Sequence, residues 1–135
     1  MSFLVDTDIC SAHLRDTPGV GTRFVQHGGN LYISTVSLAE LYAWTSREKS
    51  PPRYLDGLMA LLSDMTILDL DHEVARQFGA LRGTMLDRGQ VVPGMDLLIA
   101  ATALVHNLVM VTHNTRHFAN IPGLMVEDWL SPRAR

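Results

Sequence analysis

Short apolar runs, each too brief to make a helix, recur along the chain and alternate with stretches of helical period. Phe3-Leu4-Val5, Leu31-Tyr32-Ile33, Thr66-Ile67-Leu68 and Leu108-Val109-Met110-Val111 are four such runs, and Leu124-Met125-Val126 is a fifth candidate. Apolar runs of this length read as strands. Helices are expected between them: Gly19 to Gln26; Ser37 to Arg47, through Leu38, Leu41, Tyr42 and Thr45; from Pro52, through Leu55, Leu58, Met59 and Leu62; Glu73 to Leu86, with Val74, Phe78, Leu81 and Met85 on one stripe; and Asp96 to His106, introduced by Pro93-Gly94. Strands alternating with helices argue for a parallel α/β sheet. A chain of 135 residues with 47% apolar content is long enough to bury one core. The reading is one domain over residues 1–130, with 131–135 as a frayed C-terminal tail.

A parallel sheet has polarity, and ligands gather at the carboxyl ends of its strands. Asp6 ends the first run, Glu40 lies early in the helix after the second, and Asn114 follows the fourth. Asp96 opens the helix that leads into the fourth strand. Crossover helices run antiparallel to their strands, so that N-terminus sits at the same edge. Carboxylates brought together there repel one another unless a cation lies between them. An oxygen-rich set with few histidines favours Mg²⁺ or Mn²⁺ over zinc, and Asp6 is read as a metal ligand. Each residue also has an ordinary structural role available. Asp6 could cap a turn or a helix starting near Asp8, and Glu40 completes the capping box Ser37-Leu38-Ala39-Glu40. Asp96 suits a helix dipole, and Asn114 suits a turn. The shared edge favours the site. His113 and His117 have i, i+4 spacing but no evident third partner for zinc.

Bulk properties narrow the classes. A net charge of −3 does not announce a nucleic-acid binder. The cations are ten arginines and one lysine, Lys49, and the arginine fork suits phosphate. Cys10 is the single cysteine, which excludes an internal disulfide and fits a reducing cytoplasm. No basic-then-apolar leader opens the chain. The longest run without formal charge, Leu97 to Thr115, is interrupted by His106, Asn107, His113 and Asn114 before it could span a bilayer.

Four motifs in order, LVDTDIC, STVSLAEL, PGMDLLIAATAL and LVMVTHNTRHF, resemble a PIN-domain ribonuclease, and more narrowly the VapC toxins of bacterial VapBC toxin–antitoxin pairs. The similarity extends to the closing GLMVEDWL, which is similar to the end of toxins that cut initiator tRNA. The resemblance implies a three-layer α/β/α fold around a central, mostly parallel sheet. It implies Mg²⁺- or Mn²⁺-dependent endonucleolytic cleavage of RNA, a homodimer, and inhibition by a cognate VapB-type antitoxin. Asp6, Glu40 and Asp96 take the places of the family's three acids, with Asp6 and Asp96 holding the metal, and Asn114 takes the place of a fourth. Asp8 stands where related toxins commonly carry Asn. His117 stands where some PIN domains have a further acid, so a strongly held second metal is not expected.

The expected chemistry is attack of water on an RNA phosphodiester, leaving a 5′-phosphate. Thr7 and Thr112 are candidate phosphate or water ligands and Arg116 a phosphate clamp, within an arginine patch of Arg15, Arg47, Arg53 and Arg116. An amphipathic antitoxin segment is expected on the helices around Leu38 to Trp44 and Leu55 to Leu62. Two rivals stand beside this reading. One is a catalytically inactive PIN-type binding module, against which the intact acids argue. The other is a phosphatase of the haloacid dehalogenase class, with Asp6 as nucleophile and Asp8 as acid/base. That class needs a downstream Lys, where Lys49 falls on an expected surface turn, and a Thr where this chain has Cys10.

Overall fold

The computed structural model describes residues 1–130, so the expected tail over 131–135 lies outside the described residues. In chain order the elements are β1 (Phe3–Val5), α1 (Thr7–Leu14), α2 (Val20–Gln26), β2 (Leu31–Ser34), α3 (Thr35–Thr45) and α4 (Pro52–Leu62). They continue with β3 (Thr66–Leu68), α5 (His72–Asp87), α6 (Gly94–Val105), β4 (Val109–Val111), α7 (Thr115–Phe118) and β5 (Val126–Glu127). The strands form one sheet in the order β3-β2-β1-β4-β5, and every pairing is parallel.

Successive side chains of a strand point to opposite faces, and the core divides accordingly. Phe3, Val5, Ile33 and Val111 pack with Ile9, Cys10, Phe24, Leu41 and Leu58 of α1 to α4 on one face. Leu4 and Met110 pack with Val74, Leu81, Leu97, Ala100 and Phe118 of α5 to α7 on the other. This is the expected three-layer α/β/α arrangement. Val74, Leu81 and Met85 of the expected α5 stripe are buried, whereas Phe78 is half-buried, with the Arg82 guanidinium 5.3 Å from its ring.

Three local expectations shift. Asp6 caps α1, which starts at once with Thr7. The fifth strand is shorter and later than its apolar run, pairing only through Val126 and Glu127. The N-cap of α3 is Ser34, whose Oγ accepts a hydrogen bond from the Ser37 N–H at 3.0 Å. Ser37 is thus inside the first turn, and Glu40 sits in the second turn and not at the N3 position of a capping box. Its conformation there owes nothing to capping.

The helices expected to carry a partner groove are mostly core. Leu38, Leu41, Leu58 and Leu61 are buried, and Tyr42, Leu55 and Met59 remain exposed. Trp44 is half-buried and stacks on Tyr54, with ring centroids 4.8 Å apart. The Arg15 guanidinium lies 5.9 Å from the Trp44 ring and that of Arg53 4.9 Å from Tyr54, while Arg47 lines a hollow with both rings. Arg15 and Arg47 lie past the C-terminal ends of α1 and α3, roughly 12 and 16 Å along from where those helices leave the carboxyl edge, and Arg53 is in the first turn of α4, beside the end of α1. The expected arginine patch is therefore split, and of its members only Arg116, on α7, is at the carboxyl edge.

Candidate active site

The strand order reverses direction between β1 and β4: the chain winds outward through β2 and β3, then returns to β4 on the other side of β1. Such a switch point opens a crevice outside the carboxyl ends of the two central strands. Asp6 follows β1 and Thr112 follows β4, so both stand at its mouth. They are bonded to each other across 106 positions of sequence, the Thr112 hydroxyl donating to Asp6 Oδ2 at 2.8 Å. The Thr7 N–H donates to Asp6 Oδ1 at 2.8 Å.

Asp6 is 6% exposed. Burial pushes its carboxyl up to about 7, and the neighbouring Asp8 charge pushes the same way, with a smaller push from Asp96. The hydrogen bonds from Thr112 and Thr7 only partly oppose this. Asp8, in the first turn of α1, is also raised, chiefly by burial. Its Oδ2 accepts the His113 N–H at 3.0 Å, while its Oδ1 is buried with no hydrogen-bond partner. Asp8 thus belongs to the cluster.

Glu40 approaches from α3. Its Oε1 accepts a hydrogen bond from the Thr7 hydroxyl at 2.6 Å, so the first helical residue after Asp6 orients the second acid. Asp96 enters from the first turn of α6. Its Oδ2 lies 2.5 Å from Nδ1 of His117, and the Asn114 amide nitrogen lies 2.8 Å from the same ring atom. That one nitrogen donates to Asp96 when it carries a proton and accepts from Asn114 when it does not. Asn114 therefore meets the cluster through His117, and its backbone N–H donates to the Thr112 hydroxyl at 3.1 Å.

The other expected contacts divide. Thr112 is fully buried and its hydroxyl is committed to Asp6; Thr7 is half-buried and committed to Glu40. Both threonines orient acids. Arg116 is exposed and lines a groove with His117, Gln90 and Pro93, beside the start of α6. Residues outside the expected set also enter: Asp8, His113 and Asp128. His113 Nδ1 lies 2.9 Å from Asp128 Oδ2, just past β5. Lys49 is on the exposed turn after α3, away from Asp6, and Cys10 is fully buried, its thiol pushed far up by burial. The phosphatase reading has neither its lysine nor its threonine.

Among the described residues, no three His, Cys, Asp or Glu side chains stand close enough to hold a metal ion jointly. The donor chemistry nevertheless fits a hard cation. The bare buried Asp8 Oδ1 and the raised Asp6 carboxyl are features that a nearby positive charge relieves. Mg²⁺ commonly takes one or two carboxylates and keeps several waters, which suits Asp6 and Asp96 with Glu40 tied to Thr7.

The family model of the PIN domain matches residues 3–124. A tRNA(fMet)-specific endonuclease VapC of Shigella flexneri is 34% identical over 130 residues, covering 96% of this chain and 98% of the relative. Ribonuclease VapC2 of Haemophilus influenzae is 29% identical, with 96% and 99% covered. The toxin-like chain in a DNA-bound VapBC structure from Salmonella typhimurium superposes with a TM-score of 0.89 at 32% identity, covering 96% of this chain and 98% of that one. One in VapBC2 of Rickettsia felis, bound to a promoter DNA fragment, superposes with 0.88 at 30% identity, with 96% and 99% covered. The chain belongs to the PIN-domain family and, within it, to the VapC group. No helix among the described residues is long and apolar enough to cross a membrane.

Proposed function

We propose that this protein is a metal-dependent endoribonuclease, the toxin of a type II toxin–antitoxin pair, with 1–130 as its single catalytic domain. The observation that carries the reading is the switch-point crevice. There Asp6, Asp8, Glu40 and Asp96 are supplied by three separate segments, and burial has raised Asp6. The names of the relatives support the same chemistry, and inhibition of translation is its consequence if the RNA cut is a tRNA.

Asp6 and Asp96 would hold Mg²⁺ or Mn²⁺. When bound, such an ion supplies an activated water and offsets charge on the phosphate. Thr112 keeps Asp6 Oδ2 turned toward the crevice, and His117 and Asn114 steady Asp96. Glu40, with Oε1 held by Thr7, is placed to take the water's proton on Oε2 as general base. Arg116, exposed on α7, is suited to clamp a phosphate. The crevice is recessed, so the scissile nucleotide must be splayed from a loop, which favours a structured RNA with a single-stranded loop. Initiator tRNA is the first substrate to test, given the relatives' names.

The assay is cleavage of labelled initiator tRNA with Mn²⁺, with and without EDTA, and mapping of the ends. Cleavage in the anticodon loop, a 5′-phosphate at the new end and full loss with EDTA are expected. Cleavage that EDTA leaves intact overturns the metal reading, and cuts confined to ribosomal or messenger RNA overturn the tRNA reading.

The partner reading is a VapB-type antitoxin, because the similar structures are toxin–antitoxin complexes. The exposed Tyr42, Leu55 and Met59 offer an apolar strip on α3 and α4 for an amphipathic segment. Leu55→Ala with Met59→Ala is expected to weaken antitoxin binding about tenfold by calorimetry, as loss of two modest apolar contacts. Unchanged affinity moves the partner elsewhere. Trp44→Ala is expected to weaken it too, with some loss of stability, since Trp44 also holds Tyr54. A homodimer in the cytoplasm completes the proposal; a strict monomer by light scattering at micromolar concentration removes the dimer.

A further inference from the structure

Beside the acids stands a histidine that the mechanism above does not use. His113 follows Thr112 at the carboxyl end of β4. Its backbone N–H is fixed by Asp8, and its ring by Asp128 at the carboxyl end of the neighbouring β5. The ring is 58% exposed while the Asp128 side chain is 14% exposed, so the partly sunken carboxylate anchors one side of an open imidazole. Asp128 is itself held, its Oδ1 accepting the Leu130 N–H at 2.8 Å. A carboxylate at Nδ1 selects the tautomer with the proton on Nδ1. Nε2 is then the ring nitrogen left for a ligand, and in the neutral ring it is an acceptor.

The surroundings say what it accepts. The Asp8 carboxylate touches the His113 backbone, and Asp6 lies just beyond through Thr112. A second phosphate beside these acids meets their negative field, whereas a neutral hydroxyl does not. On a strand of RNA that hydroxyl is the ribose 2′-OH, which distinguishes RNA from DNA.

Resting on the ribonuclease reading, we infer that His113 is a specificity residue: its Nε2 accepts the 2′-hydroxyl of a nucleotide flanking the scissile phosphate, with Asp128 as the positioning residue. Water remains the nucleophile, so the 2′-hydroxyl is recognised and not consumed.

The test pairs protein and substrate changes. A stem-loop carrying the mapped cut is made all-ribo, and then with a single 2′-deoxy nucleotide at each position flanking the cut. Wild type should cleave one deoxy variant about tenfold more slowly than the all-ribo loop, the size of one hydrogen bond. His113→Ala should cleave the all-ribo loop about tenfold more slowly and no longer sense that deoxy position. His113→Asn, which keeps an acceptor oxygen, should recover part of the discrimination, and His113→Phe none. Asp128→Asn should lessen it. A merely structural His113 lowers the melting temperature while the deoxy penalty persists in His113→Ala, and that result overturns the inference. So does a wild type indifferent to every flanking 2′-hydroxyl while it still cuts RNA. A wild type that cuts no RNA with Mn²⁺ present fails the nuclease reading itself, a distinguishable outcome.

Discussion

Asp96→Asn is expected to reduce RNA cleavage by on the order of a thousandfold, the scale of losing one charge-stabilising group in a preorganised site, while the variant folds and melts at or above the wild-type temperature. Asp96 is half-buried in the first turn of α6, so an amide fits its space and keeps a polar partner for His117. What it cannot supply is the negative charge that, with Asp6, would hold the cation. Single-turnover cleavage beside a thermal melt is the measurement. Wild-type cleavage by the folded variant removes Asp96 from the machinery. Asn114→Ala should cost less, because the Asn114 side chain meets the cluster through His117 and its backbone bond to Thr112 is kept.

Asp6→Asn should show the largest separation of stability from activity. Asp6 sits near 7 in the fold against 3.8 as a free side chain, because it is buried and lies beside Asp8. The folded protein therefore keeps a proton that the unfolded chain gives up. Stability falls as pH rises through the window from about 4 to about 7, by a total on the order of 4 kcal/mol. The amide keeps the N-cap and the Thr112 contact without the charge. At pH 8 Asp6→Asn should melt higher than wild type by on the order of 15 °C, and at pH 4 the two should melt together. Mn²⁺ at pH 8 should raise the wild-type melting temperature and have little effect on the variant. Equal melting at pH 8 without metal shows that the charge at Asp6 is compensated in some other way.

The sheet was legible because its signal is local. Phe3-Leu4-Val5 and Leu31-Tyr32-Ile33 are apolar without alternation, and only a doubly covered strand accepts that pattern. Asp6, Glu40 and Asp96 were legible because the direction of a parallel strand tells which end of each neighbouring helix faces the ligand edge. What stayed hidden was held by side-chain bonds between distant positions. Nothing near Asp8 in the sequence points to the His113 backbone, 105 residues away, or marks His113 as the partner of Asp128. The capping box at Ser37 was a local pattern overruled by a better-placed Ser34, whose extended backbone (ψ 152°) allows a helix to begin at Thr35. The short α7 carries too few residues for any period to register, yet it brings His117 and Arg116 to the site.

The bond between Asp6 and Thr112 also bears on the order of events during synthesis. A chain emerging from the ribosome shows Asp6 and Glu40 early, with β1 and β2 able to pair as soon as the intervening helices form. The crevice has no second wall until β4 inserts beside β1, and closing so long a loop is slow compared with local pairing. Before that insertion Asp6 lacks the Thr112 hydroxyl that holds its Oδ2. On the ribonuclease reading, cleavage is expected only once residues beyond Thr112 are made and docked. A nascent fragment is then expected to be inert, with the surface of α3 and α4 already translated while the crevice is still unformed.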